Sequence, residues 1–313
     1  MKLAYFDEFR LGVIVQNQIF DVTDELSDLS RRGPEDLMAL LIEQFSSYRG
    51  RLEAAVARTR GMDLGQVKLR PPLPRPANIV CMAVNYDDGL IASPHTNAFH
   101  KASSAIIGPG DTMVLPDVPA SAFEGEAELA VVIGKRANHV SADEAMDYVF
   151  GYTCMMDLSA RGMGGFVGFA DKSHDGFAPM GPWIVTADEI DDPQSSQVRL
   201  WVDGELRHDY NMDDMAFPIA RLIEWASTIN TLEPGDVISC GVNHQGLGPI
   251  QDGETVVMEI EQVGRLSIHV QDPHKRKWPK GIDREMAAWV KQSLAGARPP
   301  LPSILRGRKG YGS

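Results

Sequence analysis

Phe123-Glu-Gly-Glu-Ala-Glu-Leu-Ala-Val-Val-Ile-Gly134 carries three glutamates straight into an apolar run. A short Val/Ile-rich run bounded by glycine reads as a buried strand. Residues two apart in an extended chain share a face, so Glu124, Glu126 and Glu128 point one way while Phe123, Ala127 and Leu129 point the other. Like charges this close repel, the more so as they approach a core. Two readings stay open for these residues: a solvated strand end, or oxygen ligands gathered around a hard divalent cation such as Mg²⁺, Mn²⁺ or Ca²⁺. A cation needs one further acid. Asp157, in Gly151-Tyr-Thr-Cys-Met-Met-Asp-Leu-Ser-Ala-Arg161, follows an apolar run and is expected at a strand end facing the glutamates. Lys172, in the loop Lys172-Ser-His-Asp-Gly-Phe-Ala-Pro-Met-Gly-Pro-Trp183, could balance the acids or hold an anionic substrate.

Outward from this stretch, short Val/Ile-rich runs punctuated by Gly, Pro and Asp continue from Ile79: Trp183-Ile-Val, Val198-Arg-Leu-Trp-Val, Val237-Ile-Ser-Cys, Val256-Val-Met-Glu-Ile and Leu266-Ser-Ile-His-Val. That pattern predicts a mostly β (α+β) core with a few covering helices. Ser141 followed by Glu144 predicts a capped helix start, and Pro218 opens a second helical stretch. Upstream, Leu11-Gly-Val-Ile-Val and Ile19-Phe-Asp-Val flank Gln16-Asn-Gln as a hairpin, and helices are predicted over Pro34–Glu43 and Tyr48–Arg60. Pro71-Pro-Leu-Pro-Arg-Pro breaks any regular element, so a boundary is placed there. The expected organisation is a small α+β N-terminal domain over 1–70, a main domain over 71–270 and a basic C-terminal tail over 271–313.

The 313 residues are 43% hydrophobic and 23% charged, as in an ordinary globular protein, so a large core is feasible. A run long and uncharged enough to span a bilayer is missing, and acidic Asp7 and Glu8 interrupt the start, so a cytoplasmic protein without membrane partners is expected. Cys81, Cys154 and Cys240 are far apart and read as reduced thiols. The net charge of −13 argues against nucleic acid as a partner. It is unevenly placed: residues 271–313 hold ten Lys or Arg against three Asp or Glu. Such a tail is either solvated or, anchored by Trp278 and Trp289, laid against the acidic body of its own or a partner subunit.

From Ile79 to about Val270 the chain resembles the fumarylacetoacetate hydrolase superfamily. The matching stretches are Asn85-Tyr86, Phe99-His-Lys101, Ile107-Gly-Pro-Gly-Asp, Glu126-Ala-Glu128, Gly151-Tyr-Thr, Asp157-Leu-Ser-Ala-Arg161, the Lys172 loop, Val202-Asp-Gly-Glu and Leu232-x-Pro-Gly-Asp-Val-Ile. The resemblance implies rolled β-sheets around a metal site, usually in a homodimer. It implies that Glu126, Glu128 and Asp157 bind Mg²⁺ or Mn²⁺ with Lys172 beside them as a catalytic residue. Tyr86, Lys101, Arg161, His174, Asn243 and His244 are then expected to line the substrate pocket. Substrates of the family are 1,3-dicarbonyl or 2-oxo acids, whose neighbouring oxygens suit a metal.

The lid departs from the family. Hydrolytic members have Asn-Tyr-x-Asp-His-x-x-Glu, whose His and Glu activate water; here Gly89 and Ala92 stand at those places. Val242 likewise replaces a threonine of the C-terminal Gly-Thr motif. His95, His100 and, on the loop that lacks the threonine, His244 are named as substitutes for the missing base, with His100 best placed between Phe99 and Lys101, while His139, His208, His269 and His274 are assigned structural roles. The expected function is a divalent-metal-dependent hydrolase cleaving a C–C bond of an acylpyruvate-like intermediate of aromatic catabolism. The alternatives are a decarboxylase or keto–enol isomerase, which need no activated water, and a non-catalytic member of the family.

Overall fold

The computed structural model describes residues 1–29, 33–88, 95–163, 168–294 and 297–305. Strands β1 (Lys2–Phe6), β2 (Arg10–Val15) and β3 (Gln18–Asp21) form an antiparallel meander, and helices α1 (Pro34–Glu43) and α2 (Phe45–Arg58) follow. Pro34 and two acids occupy the first turn of α1, and its buried Leu37, Met38, Leu41 and Ile42 recur at helical spacing. Short strands β4 (Met62–Asp63) and β5 (Leu69–Arg70) lead through the prolines to β6 (Ile79–Met82), β7 (Ala98–His100), β8 (Ile106–Ile107) and β9 (Thr112–Val114).

The two longest strands come next: β10 (Ala122–Ile133) and β11 (Val149–Arg161), joined through α3 (Ala142–Ala145). Then come α4 (Phe169–Lys172), β12 (Ala178–Thr186), β13 (Gln197–Val202), β14 (Glu205–Asn211), α5 (Ile219–Ile229), β15 (Val237–Ser239), β16 (Thr255–Ile260), β17 (Gly264–Gln271) and α6 (Arg284–Leu294). Among the described residues the larger sheet runs β4-β3-β2-β1-β12-β11-β10-β15-β6-β7, and a second runs β14-β13-β16-β17-β9. The second sheet packs across β10, β11 and β12. Its strands β13 and β16 alternate buried and half-exposed residues, whereas every residue of β10 is buried. Cover on both faces explains why β10 lacks an outward polar row. None of the described helices is long and apolar enough to cross a membrane.

Asp157 lies well inside β11 and not at a strand end, because pairing with β10 continues unbroken to Arg161. The small residues after it looked like a turn; the ladder overrides that local preference. Residues 1–70 edge onto the same sheet, with Leu3 opposite Ile184, and one hydrophobic cluster runs from Leu3 to Val270. From the basic C-terminal segment, Trp278 donates its indole N–H to the Ser121 carbonyl and meets Phe123 edge-on at 5.8 Å. Lys275 and Lys280 reach Asp252 and Glu254 at 2.8 and 3.1 Å. All three cysteines are buried and free.

Gly151 is where β11 and β12 approach too closely for any side chain: a Cβ there would sit 2.1 Å from the Val185 carbonyl oxygen. Gly151→Ala must therefore part the two strands, and an overpacked core of this kind loses about 1–3 kcal/mol. Urea unfolding of the variant should show that loss; an unchanged midpoint would contradict the packing.

Candidate metal centre

Strand pairing assembles the acids. Glu126 and Asp157 are directly opposite across the antiparallel ladder, and Glu128, two residues along, shares their face. One carboxylate oxygen from each of the three lies within 4.8 Å of the others. All are buried, Glu126 to 4% exposure and the other two to 1%, so the solvated-strand-end alternative is overturned. Glu124, fully buried on the same face, stands opposite Ser159.

Four carboxylates cannot be taken out of water together without compensation. Three cations arrive from separate places in the chain. Lys172, at the end of α4, donates to Glu126 Oε2 at 2.9 Å and to Asp157 Oδ2 at 2.6 Å. Lys101, just past β7, bonds Asp157 and also donates to the Leu158 carbonyl at 3.0 Å. Arg161, at the end of β11, forks across Glu124 at 2.7 Å and Glu126. Among the described residues Glu128 pairs with no cation and accepts instead from Ser239 Oγ and, at 2.9 Å, from the Gly241 N–H. That N–H is aimed by a left-handed backbone (φ +84°) that glycine adopts without strain.

The four acids thus exceed their three cationic partners by one charge, and the excess falls on Glu128. Burial, then the charges of Asp157 and Glu126, push its carboxyl well above the usual carboxylate range. Glu126 goes the other way: burial would raise it, but Lys172, Arg161 and His244 together hold it far below that range. For Lys172, burial is outweighed by Asp157 and Glu126, so its ammonium stays protonated and it serves as a fixed positive charge. An all-oxygen triad with an unbalanced negative charge suits a hard divalent cation, and the orphaned Glu124 Oε1 and Ser159 Oγ leave buried polar capacity on the same face.

The other expected site residues divide. Tyr86 is fully buried and packs edge-on to Tyr210 at 5.0 Å, with the two phenols close enough to interact. His174 stacks edge-on with Phe177 at 5.0 Å, its Nε2 likewise buried and unpartnered. Phe99 places its ring 5.0 Å from the Lys172 ammonium. The amide of Asn243 is committed to Asp214 at 2.7 Å and to the Gln245 N–H at 3.1 Å, which shapes the loop. His244 is buried against Asp88, its Nδ1 2.8 Å from Asp88 Oδ2. His95 and His100 are exposed, and no contact brings either to the carboxylates. Gly89 and Ala92 lie outside the described residues.

Sequence reasoning passed over His208. It is 1% exposed and lies near enough to Glu126 and His244 to feel their charges, with backbone groups of Asn243 and Gly125 beside its ring. Burial holds it down to about 4, so it is neutral at physiological pH. The signal was its period-two spacing with Tyr210, which puts both on the inner face of β14.

Residues 78–271 match the model of the fumarylacetoacetate (FAA) hydrolase C-terminal domain. The chain belongs to the fumarylacetoacetate hydrolase family. Within it, the chain is 34% identical over 289 residues to the maleylpyruvate hydrolase of Aquipseudomonas alcaligenes, spanning 87% of this chain and 99% of that one. A crystal structure of maleylpyruvate hydrolase from Sphingobium sp. SYK-6, in complex with manganese(II) and pyruvate, matches with a TM-score of 0.80 at 38% identity, over 87% of this chain and 99% of the other. Oxaloacetate tautomerase YisK of Bacillus subtilis is 36% identical over 223 residues, covering 65% and 73%. Family membership therefore spans relatives with hydrolase and tautomerase names.

A neutral Glu128 ties proton and metal binding together. The folded chain keeps that proton at pH values where an unfolded carboxyl has lost it, a contribution to stability that fades as pH rises through the raised value. A divalent ion must displace the proton, so Mn²⁺ affinity should climb with pH beyond the ordinary carboxylate range. Calorimetry in buffers of different ionisation enthalpy should show about one proton released per ion. Affinity independent of pH would contradict the assignment.

Proposed function

We propose that this enzyme is a divalent-metal-dependent hydrolase that splits a C–C bond in an acylpyruvate-like 1,3-dicarbonyl acid from the breakdown of aromatic compounds. The observation that carries it is the buried triad Glu126, Glu128 and Asp157 with one uncompensated negative charge, flanked by Lys101 and Lys172. Similarity to maleylpyruvate hydrolases over nearly the whole of both chains supports the same chemistry. Those three carboxylates would hold Mg²⁺ or Mn²⁺, which supplies Lewis acidity toward neighbouring substrate oxygens.

The chain's own groups do the rest. Lys172 and Lys101 hold two fixed ammoniums at the carboxylates, where they favour negative charge developing on an oxo acid. Arg161 spans Glu124 and Glu126, so it holds the Glu126 carboxylate in orientation. Burial of the triad keeps bulk water away, so each of these charges acts more strongly than it would in solution. In the net reaction a water oxygen bonds to the acyl carbonyl carbon, the C–C electron pair passes to the adjacent carbon as it departs, and that carbon takes up a proton. The products are a carboxylic acid and a 2-oxo acid. Assembly as a homodimer in the cytoplasm belongs to the same proposal.

A tautomerase or isomerase acting through the same site is the second reading, favoured by Gly89 and Ala92, neither of which moves a proton. Turnover of acylpyruvates in ¹⁸O-labelled water with Mn²⁺ separates the two: hydrolysis places label in the carboxylate product, and tautomerisation places none there. Glu126→Gln should lose Mn²⁺ binding and turnover together. Full activity in that variant would remove the triad from the reaction.

A further inference from the structure

Water must be activated by something, and the lid lacks the family's histidine and glutamate. A buried acid and imidazole occur elsewhere, brought together across 156 residues of sequence. Asp88, 2% exposed, belongs to the lid segment just before Gly89 and is held at a positive φ of 50°, a backbone that costs energy for any residue but glycine. In that conformation its carboxylate takes the His244 backbone N–H at 2.9 Å on Oδ1 and His244 Nδ1 at 2.8 Å on Oδ2, with the Gln245 amide at 3.3 Å. A carboxylate on Nδ1 fixes the tautomer that leaves Nε2 with its lone pair. Nε2 of His244 has no hydrogen bond among the described residues, and the side chain as a whole is one-tenth exposed.

The imidazole also lies on the right side. Its loop is pinned to a metal ligand, since the Gly241 N–H bonds Glu128. Asn85 clamps the lid segment to the same loop through the Cys240 carbonyl at 3.0 Å. The other side is closed by β14: a Cβ on Gly246 would meet the Arg207 carbonyl oxygen at 2.4 Å and His208 Cγ at 2.8 Å. The same loop returns to the acid-bearing strand at its far end, where the Ile250 N–H bonds the Phe123 carbonyl at 2.8 Å, so His244 stands between two anchors on β10.

We propose that Asp88 and His244 form the water-activating dyad of this chain, standing in for the lid pair lost at Gly89 and Ala92; the proposal rests on the hydrolytic function above. His244 Nε2 takes one proton from water as the oxygen bonds to the acyl carbonyl carbon. It returns that proton to the departing carbon as the C–C electron pair moves there. Asp88 acts as a positioning residue, holding the ring and stabilising its charged form.

The test compares wild type, His244→Ala, His244→Gln and Asp88→Asn on acetylpyruvate with saturating Mn²⁺. The His244 variants should lose kcat by about 10²–10⁴-fold, as removal of a general base does. KM and Mn²⁺ affinity should stay near wild type, and free imidazole should restore part of the kcat of His244→Ala. In the metal-free protein, ¹⁵N NMR should show His244 protonated on Nδ1, and Asp88→Asn should shift that signature. Wild-type kcat in both His244 variants overturns the dyad and leaves the hydrolase reading intact. Loss of Mn²⁺ binding in both, or an unmoved NMR signature in Asp88→Asn, overturns it as a structural pair. Absence of ¹⁸O incorporation by wild type instead overturns the hydrolytic function and the dyad's role with it.

Discussion

Four carboxylates on one face of a two-stranded ladder, hidden from water, set the terms for everything around them. Desolvating any one without a partner costs several kcal/mol. The fold answers with groups drawn from distant segments: Lys101 beyond β7, Arg161 at the end of β11, Lys172 on α4, and the Ser239 and Gly241 donors after β15. The site is therefore also a cross-link among these segments, and its polar members are as structural as its apolar ones. Shielding by both sheets is what makes the arrangement hold: in water these ion pairs would be weak, and under cover they are strong and position-specific.

Local sequence carried much of this. Period-two spacing put Glu126 and Glu128 on one face, and the Val/Ile runs marked the strands that became β10, β12, β13, β15, β16 and β17. The ladder supplied what spacing could not. That Asp157 lies directly opposite Glu126 depends on register, and register is a pairing of residues 31 apart, with no local mark in either strand. The same holds more strongly for Asp88 and His244. Their pairing needs the lid segment, the loop after β15 and β14 in place at once, so His244 read as a lone histidine near a motif and His208 as filler. His95 and His100 drew attention because they were near the missing dyad in sequence; alternation along β7 turns His100 outward while Lys101 turns in.

The N-terminal segment shows the same limit from another side. Pro71 to Pro76 is a real break in regular structure, yet β1 has already joined β12 by antiparallel pairing, and β5 pairs back onto β1. Proline marks where the chain cannot continue an element; it does not say which sheet the preceding elements join. The basic segment after β17 was legible as charge alone. Its anchoring depends on Trp278 against Phe123 and Arg276 over the same ring at 4.9 Å, next to the strand that carries the glutamates. A contact there stiffens the start of β10 from outside while Arg161 holds it from within.

The charge count of the cluster also orders events. With its own residues alone the centre is left one negative charge in excess or, with Glu128 protonated, neutral; either way it offers an anionic oxo acid no net attraction. A divalent cation held by the triad would take the place of that proton and leave one net positive charge in a place screened from water. Coulomb energy in such surroundings is several times its value in solution, so that change separates a site with no attraction for carboxylates from one that gathers them. Metal before substrate then follows from charge balance, without a moving part. The lysines share in it: Lys172 lies between Glu126 and Asp157 and Lys101 on Asp157, so both ammoniums stand beside the carboxylates and add to the attraction for the incoming acid's oxygens.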